Sequence, residues 1–343
     1  MTHRQKLVTA LVLLTIFQGL ILFAGFFAPY GFAVQDRERP FASPTTLHFR
    51  DALGNFHFRP FVCNSNDSDR DAGERKSDLA NSCPVHFFVR GTPYKIAGLF
   101  TSQVHFFGVE SPARIFLMGS DAYGRDQFSR FLFGGQISML AGLIAAILSV
   151  SIGILVGGIA GYYGGWVDEL LMRGGELFLA LPWLYLLFAV RAALPLHISQ
   201  WEVFLLLVSV MGLIGWARPA RLIRGVVLSA KQRNFVAAAR GFGASDAYLL
   251  RRHVLPQTYG VLLTQMTLLI PQYVLAEVTL TFLGLGVGEP LPSWGSLLSS
   301  LQQYYVLSSY WWMFLPALLL VPLFLVFYIA ADAIQEIHKT VTL

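Results

Sequence analysis

Long stretches without a charged residue constrain this chain more than any other feature. The first extends from Leu7 to Val34, and five further apolar blocks follow it. Crossing the roughly 30 Å hydrocarbon core of a bilayer takes about 20 apolar residues in a helix, because lipid offers no partner to a free backbone amide or carbonyl. We therefore predict six transmembrane helices, at 7–29, 134–162, 170–192, 203–222, 258–286 and 312–334.

The charge content agrees with this prediction. Only 13% of the 343 residues are charged, which is too few to cover the surface of a soluble protein. The net charge of +5 comes with basic residues clustered in the loops and with no nucleic-acid motif, so we expect no nucleic-acid partner. The first apolar run is longer than the roughly 7–15 residues of a signal-peptide core, and we interpret it as an uncleaved span.

Basic residues set the expected orientation. Around the connection between the fourth and fifth predicted spans there is one acid, Asp246, against eight basic residues, which are Arg218, Arg221, Arg224, Lys231, Arg233, Arg240, Arg251 and Arg252. Loops rich in Lys and Arg stay in the cytoplasm. Six spans would then place both termini of this multi-pass protein in the cytoplasm.

A polar segment at 35–115 would lie outside the cytoplasm. Alternating residues predict β-strands at 46–50, 56–62 and 85–90, and residues 64–82 have the composition of a loop. Cys63 and Cys83 bracket that loop. In an oxidising compartment they could form a disulfide, and the alternative is two free thiols.

The segment before the fifth predicted span has the pattern of a short docking helix. Phe235 to Arg240 favour a helix, Gly243 can end it in a left-handed conformation, and Ser245 and Asp246 can start a second helix that Pro256 closes. Small side chains on such a helix allow close contact with a partner. The alternative interpretation is an ordinary amphipathic loop helix.

Charged residues in or beside the spans are candidates for a pathway. Glu277 is either a pathway or gate residue or a partner in helix packing, because a charge within lipid tends to face the bundle interior. Asp121, Arg125 and Asp126 form a charged turn at the outer mouth, which is either structural or a contact for a docked protein. Four glycines of the second predicted span are spaced for close packing against another helix of the transmembrane assembly, and they are Gly153, Gly157, Gly158 and Gly161.

The docking segment resembles the EAA loop of ABC importer permeases, the element that contacts the ATPase. The family pattern is Glu-Ala-Ala, three residues, Gly, nine residues, a hydrophobic residue, one more residue and Leu-Pro. Ala237 replaces the glutamate and His253 the hydrophobic residue. The positions in register are Ala238, Ala239, Gly243, Leu255 and Pro256.

Further motifs resemble the second permease subunit of the dipeptide, oligopeptide and nickel importers. They lie at 117–130, 161–168 and 277–298, and are similar to the family sequences LGTDxxGRDxxSR, the turn after span two, and SFLGLG with PSWG. The C-terminal motif departs from the family at Tyr328 and Ala331.

The resemblance implies an all-α membrane protein with the six-helix permease fold of type I ABC importers and a small extracytoplasmic insert that contains β-structure. The implied parts are an N-terminal transmembrane helix at 1–34, the insert at 35–115, and a five-helix core at 116–343 with the coupling loop at 230–256. It also implies a multi-pass, non-enzymatic subunit of a transporter in the bacterial inner membrane, most simply a transporter of peptides. Its implied partners are a homologous second permease, two ABC ATPases, a solute-binding protein and membrane lipid.

We expect no cofactor or metal in this chain, and ATP would be bound by the partner subunits. None of the five lysines occupies a P-loop, GxxxxGK[ST], since the two that precede Ser or Thr do not follow a glycine. Two rival functions stay open. One is an ion-coupled secondary transporter or channel that acts without an ATPase, and the other is a membrane-anchored receptor.

Overall fold

The computed structural model describes residues 3–50, 55–63, 82–96, 100–180, 182–192 and 199–342, and most of these residues are helical. The helices are α1 (His3–Leu22), α2 (Ala24–Phe27), α3 (Gln127–Tyr163), α4 (Gly165–Ala180), α5 (Trp183–Ala192), α6 (Gln200–Gly215), α7 (Ala217–Lys231), α8 (Asn234–Gly241), α9 (Asp246–Leu249), α10 (Tyr259–Phe282), α11 (Trp294–Ser299), α12 (Tyr304–Ser309) and α13 (Leu315–Thr342).

Five helical stretches in the described part of the chain are long and apolar enough to cross a membrane. They are Arg4–Leu22, Gln127–Tyr163, Gln200–Lys231, Asp246–Phe282 and Trp311–Ile337. Each overlaps one of the predicted spans, so these five predictions are confirmed by length and composition.

The predicted span at 170–192 is not one of the five. This region is divided between α4 and α5, which have 16 and 10 residues, each fewer than the about 20 that a single crossing needs. Pro182 lies between the two helices. Proline has no amide hydrogen and restricts the residue before it, which accounts for the interruption. The count of six spans is therefore not confirmed.

The insert contains two small antiparallel sheets. In the first, β1 (His48–Arg50) pairs with β2 (Phe56–Cys63), which pairs with β3 (Ser82–Pro84). In the second, β4 (His86–Ile96) pairs with β5 (Phe100–Gly108). The predicted strands correspond to β1, β2 and β4, whereas β3 and β5 were not predicted. Most of the predicted loop at 64–82 lies outside the described residues.

The described contacts divide the chain into two compact units. Unit 1 comprises Met1–Leu14, Met139–Leu280 and Pro322–Leu343. Unit 2 comprises Thr15–Ser138 and Thr281–Val321.

In unit 1, three of the four predicted glycines of α3, Gly153, Gly157 and Gly161, pack against α7, whereas Gly158 lies nearest to Leu255. A Cβ atom placed on Gly157 would lie 2.3 Å from the carbonyl oxygen of Ala220, and one on Gly161 would lie 2.8 Å from that of Arg224. The predicted close approach to another helix is thus present, and the neighbouring helix is α7 of the same chain.

In unit 2, Trp294 is the largest side chain that is fully buried. Its indole Nε1 donates to the carbonyl of Phe131 at 3.0 Å, and its backbone amide donates to Ser138 Oγ at 3.1 Å. Ser293 caps α11 through a reciprocal pair of hydrogen bonds with Ser296. These contacts fix the Pro-Ser-Trp-Gly segment against the first turns of α3.

Candidate functional site

The predicted docking segment consists of two helices and the turn between them. α8 is followed by Gly243 with a φ of +84°, and α9 begins after Ser245. The left-handed glycine and both helices were predicted. Ser245 occupies the N-cap position, but its side chain makes no capping hydrogen bond.

The end of this segment differs from the prediction. After α9 the chain continues through a π-helical turn, Leu250–Val254, and a 3₁₀ turn, Leu255–Thr258, directly into α10. Pro256 is the second residue of the 3₁₀ turn, where a missing amide hydrogen is tolerated because the first amides of a helix have no partner within it. Pro256 therefore does not close the helix.

A set of polar contacts ties the segment to the end of α3. The hydroxyl of Tyr162 donates to Asp246 Oδ1 at 2.6 Å. Arg240 Nη2 donates to the same carboxylate oxygen at 2.9 Å and to the Tyr162 hydroxyl at 3.0 Å. Lys231 Nζ donates to the carbonyl of Tyr162. One tyrosine thus joins α3, α7, α8 and α9.

An apolar core lies beneath the same segment. Its fully or nearly fully buried members come from α3, α7, α8, α9 and the π turn, and they are Tyr162, Ile223, Val227, Ala230, Val236, Leu249 and Val254. Ala239 and Leu255 pack against this core. One face of the segment is therefore anchored to α3 and α7.

The opposite face of the segment is open. Phe242 has 93% of its surface exposed, and Ala237 and Ala238 are also exposed. Between Phe242 and Tyr248 is a recess of about 600 Å³, with Gly243 and His253 in its wall. This surface offers a recess with both apolar and polar side chains in its wall, beside the protruding ring of Phe242.

A second set of polar contacts ties α4 to α7. Arg224 forms a two-pronged ion pair with Asp168, and Arg221 lies 3.5 Å from Glu176. Two acidic residues of α4, Asp168 and Glu176, therefore face basic residues of α7.

The outer charged turn is an ion-pair cluster in unit 2. Arg125 Nε lies 2.7 Å from Asp121 Oδ2, and Arg125 Nη1 lies 3.0 Å from Glu289. Arg130 Nη2 lies 2.8 Å from the same glutamate, and its side chain is only 3% exposed. Burial opposes the ionisation of Glu289, but the two arginines outweigh it and hold its pKa below the ordinary value.

Asp126 has a different role from its neighbours in the turn. Its Oδ2 accepts hydrogen bonds from the backbone amide of Ser129 at 2.8 Å and from the Ser129 hydroxyl at 2.5 Å, so it caps the start of α3. Its Oδ1 is buried without a hydrogen-bond partner among the described residues. Burial raises the pKa of Asp126 to about 6, although the bonds from Ser129 act in the opposite direction.

Three residues of these clusters were missed by sequence reasoning. Arg130 is the last residue of the 117–130 motif, so this motif could have identified it as a candidate. Glu289 is 159 positions away from Arg130, and no local spacing connects them. Tyr162 belongs to the 161–168 motif, where it was interpreted only as part of a turn.

Two predicted sites stay predictions. Glu277 is fully buried in α10, which is compatible with a gate and with helix packing. Cys83 has a free thiol that packs near Val62, and the side chain of Cys63 is outside the described part of the structure. The strand register pairs Cys83 with Val62 and Cys63 with Ser82, so a direct cross-strand disulfide would need a shift of one residue.

Comparison with known proteins gives a consistent group of relatives. Residues 153–338 match the family described as binding-protein-dependent transport system inner membrane component. Over 219 residues the chain is 34% identical to the dipeptide transport system permease protein DppC of Bacillus subtilis, covering 64% of this chain and 66% of the relative.

Two further relatives carry related names. The oligopeptide transport system permease protein OppC of Bacillus subtilis is 36% identical over 188 residues, covering 55% of this chain and 60% of that protein. The glutathione transport system permease protein GsiD of Pectobacterium atrosepticum is 32% identical over 227 residues, covering 66% and 73%. The chain thus spans slightly less than two thirds of the length of the first two relatives.

Proposed function

Because the chain belongs to the family of binding-protein-dependent transport system inner membrane components, we propose that it is a membrane-spanning permease subunit of an ATP-driven importer. In this role it forms part of the translocation path and is not itself an enzyme. ATP is bound and hydrolysed by separate subunits. Both termini lie in the cytoplasm, as the basic residues around the 234–256 segment indicate.

The observation that carries this proposal is the two-sided construction of the 234–256 segment. Its inner face is anchored to α3 and α7 by the buried core and by Tyr162, Arg240 and Asp246. Its outer face presents Phe242 and a recess. An ATPase docked on the outer face would therefore move α3 and α7 when it closes on ATP. Alternating access to the path follows from that movement.

The EAA pattern has a glutamate where this chain has Ala237, which carries no charge. Phe242, five residues further on, has an almost fully exposed apolar side chain. Burying a phenylalanine side chain contributes roughly 1.5–3 kcal/mol. We propose that Phe242 enters an apolar pocket of the ATPase and supplies the contact energy.

The remaining partners follow from the same family role. We propose a homologous second permease, two ATPase subunits and a solute-binding protein on the outer side. The relatives' names include dipeptide, oligopeptide and glutathione transport, and they support peptides as the substrate class. The ion-pair cluster around Arg125 and Glu289 would then support the surface that receives the binding protein.

The test is to purify the tagged chain from its native membranes in mild detergent and to identify the co-purifying proteins by mass spectrometry. We expect a P-loop ATPase and a second permease. Gly243→Val should lose the ATPase, because a β-branched residue does not tolerate a φ of +84°. Gly243→Asn is the matched control, since asparagine accepts this conformation.

The outcomes separate the proposal from its rival. If the chain is recovered alone in a detergent that preserves other importer complexes, and uptake depends on a proton or sodium gradient, it acts as a secondary transporter. Normal ATPase recovery and normal peptide uptake with Gly243→Val would remove the coupling role from the 234–256 segment.

A further inference from the structure

Five phenylalanines of unit 2 form an aromatic cluster between α2 and the β4–β5 hairpin. Phe106 lies at its centre, with ring centroids 5.8 Å from Phe26, 5.9 Å from Phe27, 5.7 Å from Phe87 and 5.9 Å from Phe88. Phe26 and Phe88 also contact each other, at 6.2 Å. The cluster is not fully covered, because Phe87 is 50% and Phe88 65% exposed.

The backbone at Phe88 explains how two consecutive residues contact the same ring. In a regular strand, neighbouring side chains point to opposite faces of the sheet. Phe88 has a φ of +56°, a conformation that bulky residues rarely adopt. Phe87 and Phe88 consequently both lie against Phe106. An unfavourable backbone conformation that exposes two aromatic rings together indicates an interaction surface.

The hairpin is held firmly at the end of α1. The amide of Phe23 donates to the carbonyl of Gly19 at 3.0 Å, so α2 continues α1 with little interruption. The ring of Tyr94 packs directly over Gly25. The ring of buried His105 bridges two carbonyls, with Nδ1 2.6 Å from Ala28 O and Nε2 3.0 Å from Thr92 O.

This attachment places the aromatic cluster at the edge of the bilayer. The first candidate span ends at Leu22, and Phe26 is four residues further on, which is about 6 Å along a helix. The exposed apolar surface of α1 continues through Leu22 and Phe23. We propose that Phe87 and Phe88 insert into the lipid surface at this end of α1 and seat the hairpin on the membrane.

The charge around the cluster favours lipid as the occupant. Arg90 and Lys95 are exposed on the same strand, β4, two and seven residues beyond Phe88. Segments that rest in a membrane interface combine apolar or aromatic side chains, which enter the acyl boundary, with basic residues that meet the lipid phosphates. This inference needs only a membrane-embedded α1, and it does not depend on what the protein transports.

The test is photocrosslinking of the full chain in its native membranes. The variant Phe88→p-benzoylphenylalanine keeps an aromatic side chain and inserts into nearby C–H bonds on irradiation. We expect phospholipid adducts, detected by mass spectrometry, as abundant as those from the same substitution at the exposed Ile16 of α1. The matched control is Phe58, which is 94% exposed on β2 and outside the cluster, and it should give several-fold fewer lipid adducts.

Phe87→p-benzoylphenylalanine provides a second position if the first variant fails to accumulate. Lipid adducts at either cluster position above the level at Phe58 support the proposal. Lipid adducts no more frequent than at Phe58 would overturn it. Adducts that join the cluster to another polypeptide would also overturn it, since they would identify a protein as the occupant.

Discussion

At the scale of single residues, Tyr162 combines two roles in one side chain. Its ring belongs to the apolar core beneath the 234–256 segment, and its hydroxyl bonds Asp246 and accepts from Arg240. The ion pair between Arg240 and Asp246 is about half exposed on both sides, and exposed pairs contribute little by themselves. The buried ring and its hydroxyl therefore position the pair.

Replacing Tyr162 with phenylalanine separates the two roles. Tyr162→Phe keeps the core contact and removes the hydrogen bonds to α8 and α9, so we expect a loss of about 1 kcal/mol in unfolding free energy. We also expect faster proteolytic cleavage within 234–256 and weaker coupling of ATP hydrolysis to uptake. Tyr163→Phe, at the exposed neighbouring position, is the control. Equal cleavage rates in the two variants would contradict the positioning role.

Asp126 makes the stability of the folded chain depend on pH. Its carboxyl has an ordinary pKa of 3.8, which burial raises to about 6 in the folded state. The folded state thus holds this proton more tightly than the unfolded state. The resulting stability is fully present below pH 4 and is lost as the pH rises through 6, with an upper limit of about 3 kcal/mol.

We expect Asp126→Asn to remove this dependence, because asparagine caps a helix equally well but cannot ionise. Thermal unfolding in detergent, measured between pH 4 and pH 8, should show that the unfolding temperature of the variant increases relative to that of the parent as the pH rises. Glu169→Gln, at an exposed side chain of α4, controls for the titration of ordinary carboxylates. Parallel pH profiles for Asp126→Asn and the parent would rule out the raised pKa.

At the scale of helices, α3 packs tightly against α7 in unit 1. A methyl group on Gly157 would meet the backbone of Ala220, so Gly157→Ala must push the helices apart and should destabilise the chain by about 1–3 kcal/mol. Gly174→Ala in α4 meets no atom within 4 Å and should be neutral or stabilising, since alanine favours helices. The unfolding temperatures of the two variants in detergent measure these effects. A smaller loss of stability in Gly157→Ala than in Gly174→Ala would disprove the close packing of α3 against α7.

The elements of the fold were predicted correctly from the sequence where the signal was local. Apolar length is a local property, so five spans were found, and Gly243 was identified because a left-handed helix end favours glycine. The prediction failed where a distant partner decides the structure. Strand β5 forms through pairing with β4, and the Arg130–Glu289 pair joins residues from separate parts of the chain.

The third predicted span shows a second kind of limit. Its apolar residues suggested a single crossing, but Pro182 divides them, and two acids of α4, Asp168 and Glu176, pair with α7. The apolar composition of a segment alone does not indicate where a helix is interrupted. The same holds for Pro256, whose expected stop became a 3₁₀ turn because its missing amide falls among the first, unpaired positions.

At the scale of the whole molecule, the interruption at Pro182 matters for topology. We expect both termini in the cytoplasm, which requires that α4 and α5 together provide one crossing in addition to the five long helices. Fusions of alkaline phosphatase and green fluorescent protein to each terminus test this. Fluorescence without phosphatase activity at both ends is the expected result. Activity at one terminus would mean that the α4–α5 region does not cross.

The exposed ring of Phe242 has a consequence for the turnover of the protein in the cell. On a copy without the proposed ATPase, a phenylalanine left in water resembles the exposed apolar residues by which quality-control proteases recognise incomplete assemblies. We expect the half-life of the chain to fall when the ATPase is not co-produced, and Phe242→Ser to restore it. The amount of transporter in the membrane would then follow the supply of its soluble partner, with the unmatched copies cleared by turnover.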